Sequence, residues 1–175
     1  ALDHGHFALA GQFIEPVTRQ GDPSGRGIEV LVRMLDESGK VIFPGAFLPA
    51  AERYSLMPLL DRWVIQRAFQ WLNSHPEHLR ELEFCAINLS GQTLSDSDIA
   101  EYIEQSIAHY QLDPGCLCFE VTESAAVYNL EDAREFINKI KSLGCKFSLD
   151  DFGTGQSSFA YLKNLPVDFL KLSSN

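Results

Sequence analysis

The chain has 175 residues, of which 45% are hydrophobic and 22% are charged, a composition typical of a soluble globular protein. This length allows one domain with a sizeable core and is short for two. The formal net charge of −10 argues against a surface that binds nucleic-acid polymers without regard to sequence, so an anionic ligand must be received by local cations.

Predicted strands alternate with predicted helices along the chain. Apolar runs bounded by turn residues predict strands at 7–14, 28–35, 82–89, 116–121, 147–149 and 167–172. Apolar residues at helical spacing, with capping residues or a proline near the start, predict helices at 44–53, 59–72, 99–110, 130–143 and 156–162. Residues 73–77 are predicted to form a loop.

The order of these elements predicts an α/β fold with a largely parallel sheet. Strands and helices alternate at roughly 30-residue intervals, which indicates βαβ units. A dinucleotide-binding fold is disfavoured because no strand is followed by a Gly-x-Gly-x-x-Gly turn. A (β/α) barrel remains, although about six strands are predicted where a complete barrel has eight.

The cysteines and apolar segments predict a cytoplasmic location. The four cysteines lie in strand-like apolar segments, without metal-ligand spacing or the disulfide pattern of a secreted protein. No apolar run approaches the length of a membrane span, and the first residues show no signal-peptide pattern. We therefore expect reduced thiols in a cytoplasmic domain, or in the cytosolic part of a larger, membrane-attached protein.

Two adjacent carboxylates end the fifth predicted strand. Asp150 and Asp151 follow the apolar run 147–149, and two glycines flank Thr154 just beyond them. Neighbouring anions at the end of a buried strand repel each other and are costly to desolvate, so something must neutralise them. Two aspartates in a row directly after a strand favour a cation site. The alternative is that one aspartate caps a helix beginning near Gln156.

Other predicted strands also carry polar side chains where apolar ones are usual. They are Glu29 and Arg33 in the second strand, Asn88 in the third, Glu120 and Glu123 at the fourth, and Lys171 in the sixth. Each has an ordinary interpretation by itself: a solvent-facing position, a Glu29–Arg33 ion pair, a turn residue, a helix cap or a surface lysine. Their spacing favours a common site, because 32 residues separate Asn88 from Glu120 and 30 separate Glu120 from Asp150, one strand–helix unit each.

A common site at the carboxyl ends of parallel strands is where barrel enzymes carry out their chemistry. Carboxylates with an amide, and without His or Cys, suit a hard cation such as Mg²⁺ or Mn²⁺. Asp150 and Asp151 could serve two cations about 4 Å apart, the arrangement used to cleave phosphate esters. Arg33 would then meet a phosphate, and Lys171 would hold the attacking water or the developing charge. The residues therefore predict metal-assisted phosphodiester hydrolysis.

Taken in order, the motifs resemble those of the EAL-domain family of cyclic di-GMP phosphodiesterases, over essentially the whole chain. The matching segments are Glu29-Val-Leu-Val-Arg33, Pro44, Leu48-Pro-Ala-Ala-Glu52, Asn88 with Ser90, Glu120-Val-Thr-Glu123, Asp150-Asp-Phe-Gly-Thr-Gly155 with Ser157 and Ser158, and Leu165-Pro-Val-Asp168 through Lys171. Each motif alone is weak, but the ordered set is specific. The resemblance implies a modified (β/α)8, TIM-like barrel with an antiparallel first strand. Residues 1–175 are then expected to form an EAL-type domain truncated after about six strands.

The resemblance also implies a role for each matched polar residue. The first metal would be held by Glu29, Asn88, Glu120 and Asp150. The second metal would be contacted by Asp151 together with Asp150. Glu123 would hold the Asp-Asp loop in place, and Lys171 would orient the nucleophilic water. Arg33 would contact a substrate phosphate, and Gln12 would contact the ligand.

Members of this family open cyclic di-GMP to linear pGpG, are often dimers, and commonly follow a diguanylate-cyclase-like domain. The resemblance therefore implies cyclic di-GMP as ligand, two Mg²⁺ or Mn²⁺ ions, a homodimer, and covalent neighbours such as a diguanylate-cyclase-like or sensor domain. A nucleic-acid polymer is not expected as a partner.

The sequence departs from the family pattern at several places. Val30 replaces the family's alanine, and the connection from the first strand to Glu29 is longer than usual. Phe13 stands where the family has proline, and Ser173 stands where aspartate is common. No counterpart of the family's later glutamate or of its final strands occurs up to Asn175. The alternative hypotheses are a catalytically inactive cyclic di-GMP receptor and a protein-interaction module that binds no nucleotide.

Overall fold

A computed structural model describes residues 6–15, 25–79, 82–153 and 165–172. Within these ranges, seven strands form one sheet: β1 (Phe7–Ile14), β2 (Arg26–Leu35), β3 (Val41–Ile42), β4 (Leu82–Asn88), β5 (Leu117–Thr122), β6 (Lys146–Phe152) and β7 (Phe169–Leu172). The helices there are α1 (Pro44–Arg53), α2 (Met57–Ser74), α3 (Pro76–Leu79), α4 (Gly91–Leu94), α5 (Ile99–Tyr110), α6 (Glu123–Tyr128) and α7 (Leu130–Ser142). A 3₁₀ turn at Pro114–Cys116 leads into β5.

The sheet is mostly parallel and begins with an antiparallel strand. Its order is β1-β2-β4-β5-β6-β7, with β3 paired to the end of β2. β1 is antiparallel to β2, whereas β2, β4, β5, β6 and β7 run parallel to one another. Both predicted features, the α/β class with a parallel sheet and the antiparallel first strand, are confirmed.

The two faces of the sheet have different chemistry because successive side chains of a strand point to opposite sides. Ile87, Phe119 and Leu149 are fully buried and join the core that the helices cover. Each is followed by a polar residue that lies on the other face, among them Asn88 and Glu120. One face therefore supplies the core, and the other is available for a site.

Helix α7 shows how local sequence builds the covering layer. Its buried residues Ala133, Phe136, Ile137 and Ile140 recur at helical spacing, and Phe136 meets the ring of Phe147 in β6 edge to face. Acidic residues lie in its first turn and lysines in its last, which complements the helix dipole. Among the helices in the described ranges, none combines the length and apolar character of a membrane span.

A buried aspartate in α2 fixes the connection that follows β4. Asp61 is 4% exposed and accepts hydrogen bonds from the Ser90 backbone N–H (2.8 Å) and the Thr93 hydroxyl (2.6 Å). Burial raises the pKa of Asp61, and these hydrogen bonds oppose that shift. The Ser90 hydroxyl accepts from the Thr93 backbone N–H (3.2 Å) and so caps α4. The chain beyond Asn88 is thereby held in one conformation.

The structure corrects four details of the sequence analysis. The predicted loop at 73–77 is wrong, because α2 continues to Ser74 and α3 begins at Pro76. Four short elements, β3, α3, α4 and α6, were not predicted. With β3, the described sheet has seven strands rather than about six. Asp150 and Asp151 lie inside β6 rather than after its end. The predicted helix at 156–162, Thr154, Gly155, the Ser157–Ser158 pair and Ser173 lie outside the described residues.

Candidate cation site

Six polar side chains from six different strands lie on the face of the sheet opposite the helices. They are Gln12 (β1), Glu29 (β2), Asn88 (β4), Glu120 (β5), Asp150 (β6) and Lys171 (β7). Gln12 is the register partner of Glu29, and Asn88 is that of Glu120, so each pair shares a face. The structure therefore brings these six side chains to one face of the sheet.

Three carboxylates form the centre of the site. Glu29, Glu120 and Asp150 each offer one oxygen, and these oxygens lie within 4.8 Å of one another. Glu120 is 2% exposed, while Glu29 and Asp150 are 16% and 26% exposed at the side chain. The Asn88 amide donates to Glu29 Oε1 at 2.8 Å, which adds a fourth polar side chain to the group.

Lys171 neutralises part of this negative charge. Its Nζ lies 2.8 Å from Glu120 Oε2, 3.0 Å from Glu29 Oε2 and 3.5 Å from Asp150 Oδ2. One ammonium faces three carboxyl groups and can balance the charge of only one of them, which favours the addition of a cation. The prediction of a water-orienting lysine is not tested by these contacts; what they show is a direct ion pair with all three carboxylates.

Burial and ion pairing oppose each other at Glu120 and at Lys171. Burial raises the pKa of Glu120, and the hydrogen bond and charge of Lys171 only partly reverse this, so the pKa stays above its ordinary value. Burial lowers the pKa of Lys171, but the hydrogen bonds and charges of Glu120 and Glu29 more than offset it, and the pKa lies above its ordinary value. The lysine is therefore charged at neutral pH.

The Asp150–Asp151 segment bends sharply at its second residue. Asp151 has φ +54°, the left-handed region that most residues avoid, and its backbone N–H donates to Asp150 Oδ1 at 2.8 Å. Asp151 is exposed, and the group of three mutually close carboxylates found within the described residues does not include it. A place for Asp151 at a second cation stays a prediction.

Glu123 connects α6 to this bend. It is 3% exposed, and its Oε2 accepts from the backbone N–H of Gly153 at 2.8 Å. A buried carboxylate bonded to the backbone two residues after Asp151 holds β6 and α6 together. A helix cap at this position, the ordinary interpretation, is provided instead by Thr122, whose hydroxyl accepts from the Ala125 backbone N–H.

Glu123→Ala is expected to loosen the bend after β6. The substitution removes a charge-assisted hydrogen bond of about 2 kcal/mol, so the Gly153 amide should exchange with solvent at least about tenfold faster. Hydrogen–deuterium exchange of peptides covering residues 150–153 measures this. Glu123→Gln keeps an acceptor oxygen and serves as the matched control, with a smaller change. Equal protection in Glu123→Ala and in the unmodified protein would contradict the role.

Arg33 lies four residues beyond Glu29 on the same face of β2, nearer the carboxyl end of the strand. Its Nη1 donates to the Val32 carbonyl at 2.9 Å, and its guanidinium lies 5.4 Å from the ring centroid of Phe43. The Glu29–Arg33 ion pair considered as an alternative is not among the ion pairs of the described ranges, where Glu29 pairs with Lys171. The contact between Arg33 and Phe43 was not predicted; the position of Phe43 just before the proline of α1 was the available signal.

The donor set fits a hard divalent cation. Carboxylate and amide oxygens without His or Cys are the ligands of Mg²⁺ and Mn²⁺, and three of these oxygens are already close together. The four cysteines are buried at other positions, and burial raises the pKa of each thiol, which keeps them neutral. Glu29, Asn88, Glu120 and Asp150 are therefore the residues that could hold such an ion.

The fold and the site define a class: an α/β domain of barrel type, with an acidic centre where its parallel strands end. The chain matches the EAL domain over residues 1–175, and it belongs to the EAL-domain family. It is 38% identical over 161 residues, 91% of its length, to the cyclic di-GMP phosphodiesterase PdeB of Shewanella oneidensis. It is 37% identical over its whole length to the cyclic di-GMP phosphodiesterase PdeF of Escherichia coli. The chain spans only 19% and 23% of these two relatives.

Solved structures of EAL domains have the same fold. The FimX EAL domain of Pseudomonas aeruginosa bound to cyclic di-GMP superposes with a TM-score of 0.86 at 29% identity, covering 98% of this chain and 67% of that one. The PaMucR phosphodiesterase in complex with cyclic di-GMP gives a TM-score of 0.85 at 30% identity, covering 98% of this chain and 68% of that one.

Proposed function

We propose that this chain belongs to a phosphodiesterase that hydrolyses cyclic di-GMP to linear pGpG with two Mg²⁺ or Mn²⁺ ions. The observation that carries the proposal is the group of three carboxylates with Asn88 and Lys171, on one face of the sheet of an EAL-family chain. The names of PdeB and PdeF support the same substrate.

In this proposal Asp150 contributes to both cations, and every other polar residue has one role. The first cation would be held by Glu29, Asn88, Glu120 and Asp150, and the second by Asp150 and Asp151. The chemistry that such ions supply is activation of water and neutralisation of phosphate charge. The other roles belong to the substrate and its surroundings: Lys171 holds the attacking water, Arg33 and Gln12 bind the ligand, and Glu123 holds the Asp151 bend.

The surroundings of Lys171 suit it to hold a water rather than to accept a proton. Its ammonium is kept charged by Glu120 and Glu29, so it can donate hydrogen bonds and cannot act as a base at neutral pH. In this proposal the same charge would stabilise the negative charge that grows on the phosphate and so lower the free energy of the transition state. Arg33, four residues beyond Glu29 in β2, would bind the substrate's phosphate with its planar guanidinium.

The test is to incubate the complete protein with cyclic di-GMP and either Mg²⁺ or Mn²⁺ and to separate the products by chromatography. Release of pGpG that stops on addition of EDTA is expected. Absence of turnover with both metals would contradict the proposal.

A cyclic di-GMP receptor without hydrolytic activity is the second candidate. The contacts of Lys171 favour it, because an ammonium that already pairs with all three carboxylates reduces their need for a metal. The receptor predicts binding with a Kd of about 1 μM or below, which corresponds to about −8 kcal/mol. Calorimetry with EDTA present, combined with the product assay, separates the two: binding without pGpG indicates the receptor.

We further propose that residues 1–175 form part of an EAL-type domain of a larger cytoplasmic or membrane-attached protein. The small share of PdeB and PdeF that the chain spans supports covalent neighbours, such as a diguanylate-cyclase-like or sensor domain. A homodimer is proposed from the family resemblance alone. Analytical ultracentrifugation of the complete protein tests it, and a monomer at 50 μM, roughly the concentration at which weak dimers form, would contradict it.

A further inference from the structure

Ser148 has a buried hydroxyl that the proposed roles do not use. The residue is 0% exposed, and its Oγ has no hydrogen-bond partner among the described residues. Most buried polar atoms in folded proteins are paired with protein groups or ordered water, so an exception needs a physical reason. The sequence offers none, since a serine in a strand is ordinarily taken as a small, neutral residue.

This hydroxyl lies next to the carboxylate cluster, on the same face of the sheet and nearer the start of β6. Ser148 precedes Asp150 by two residues in β6 and therefore lies on the same face. Its register partner in β5 is Glu120, the most buried carboxylate of the cluster, and adjacent strands are about 4.8 Å apart. Its partner in β7 is Phe169, whose ring stacks on Phe84 and offers no oxygen or nitrogen.

The carboxylate of Glu120 is the acceptor that fits this hydroxyl. Cys118, two residues before Glu120 on the same face of β5, is a neutral thiol whose pKa is raised by burial. Glu120 uses Oε2 to accept from Lys171, and its second oxygen retains accepting capacity. Ser148 makes no direct hydrogen bond to Glu120, and two buried polar groups in this relation are commonly bridged by one water.

We propose that Ser148 is a positioning residue: its hydroxyl donates through one ordered water to the Glu120 carboxylate. Glu120 then accepts hydrogen bonds from both this water and Lys171, so its oxygens keep one orientation toward Glu29 and Asp150. Polar groups that orient a ligand of a metal typically change metal affinity by 10–100-fold when they are removed. The expected effect on metal affinity rests on the proposed cation site, whereas the water-mediated contact between Ser148 and Glu120 does not.

Ser148→Ala in the complete protein is expected to weaken Mn²⁺ binding about tenfold in a calorimetric titration. Ser142→Ala is the matched control: its hydroxyl donates to the Lys139 carbonyl on the exposed side of α7, and it should leave the Mn²⁺ affinity unchanged. If the Ser148 hydroxyl is instead unpaired, the two measurements should show the opposite pattern. Ser148→Ala would then raise the urea midpoint of unfolding and leave the Mn²⁺ affinity within twofold, and that result would overturn the inference.

A second measurement does not depend on metal. A crystal structure of the complete protein in EDTA is expected to show one water within about 3.2 Å of both Ser148 Oγ and a Glu120 oxygen, and Ser148→Ala should lose it. A gap without water between the two side chains overturns the inference. If the unmodified protein binds no Mn²⁺ but the water is present, the proposed function fails while the water-mediated contact stands.

Discussion

Glu29→Gln is expected to lower kcat/KM for cyclic di-GMP about 10³-fold, equivalent to about 4 kcal/mol of transition-state stabilisation. Glu29 belongs to the group of three close carboxylates and is contacted by both Asn88 and Lys171. Glutamine has nearly the same shape and can still accept from the Asn88 amide. What it removes is one negative charge, and with it the affinity of the site for divalent cations.

The fold should be unaffected by this substitution. Removing one of three mutually repelling anions costs the ion pair with Lys171 but relieves repulsion from Glu120 and Asp150, so the free energy of unfolding without metal should change by less than about 1 kcal/mol. Glu104→Gln, on the exposed side of α5, makes the same chemical change away from the site and should retain full activity. Unchanged turnover by Glu29→Gln would contradict the proposed role of Glu29.

Lys171→Met is expected to destabilise the metal-free protein by about 3 kcal/mol, measured by urea unfolding in EDTA. Without the ammonium, three carboxylates within 4.8 Å of one another lose their shared counter-charge, and Glu120 is nearly inaccessible to solvent. Methionine retains most of the apolar stem, so the loss reports on charge rather than on packing.

Mn²⁺ should restore much of this stability. A divalent ion can replace the missing charge, so saturating Mn²⁺ should raise the urea midpoint more in Lys171→Met than in the unmodified protein. Hydrolysis should nevertheless be lost, because the residue that holds the attacking water is gone. Lys139→Met, at an exposed position of α7, is the control and should change neither quantity. A metal-free Lys171→Met protein as stable as the unmodified one would show that the ion pairs contribute nothing.

The pH range of this stabilisation follows from the sign of the pKa shift. Although burial opposes the charged form, the ion pairs keep the pKa of Lys171 above its value in the unfolded chain. The contribution is therefore complete at neutral pH, and it is lost only as the pH rises through the raised pKa. The difference between Lys171→Met and the unmodified protein should be constant around pH 7 and shrink only in strong alkali.

Much of the fold could be predicted from local pattern because its elements are long and amphipathic. The bounds of α1 and α5 agree with the sequence prediction, and so does β1. The elements that were not predicted are short: β3 has two residues, α3 and α4 have four each, and α6 has six. Elements of this length do not complete enough periods to show a pattern, and their positions depend on tertiary contacts such as those of Asp61.

Which side chains share a site follows from features that are visible in the sequence. The one-unit spacing of Asn88, Glu120 and Asp150 and the alternation along each strand are local properties, and they are sufficient to bring these residues to one face of a parallel sheet. The pairing of the charges, in contrast, depends on the three-dimensional arrangement of the strands. Lys171 bonds to Glu29 across 142 residues of sequence, and the Glu29–Arg33 pair that proximity in sequence suggested does not form within the described residues. Ion pairing depends on distances of a few ångströms between side chains on different strands, and such distances are set by sheet order and register, which no local pattern encodes.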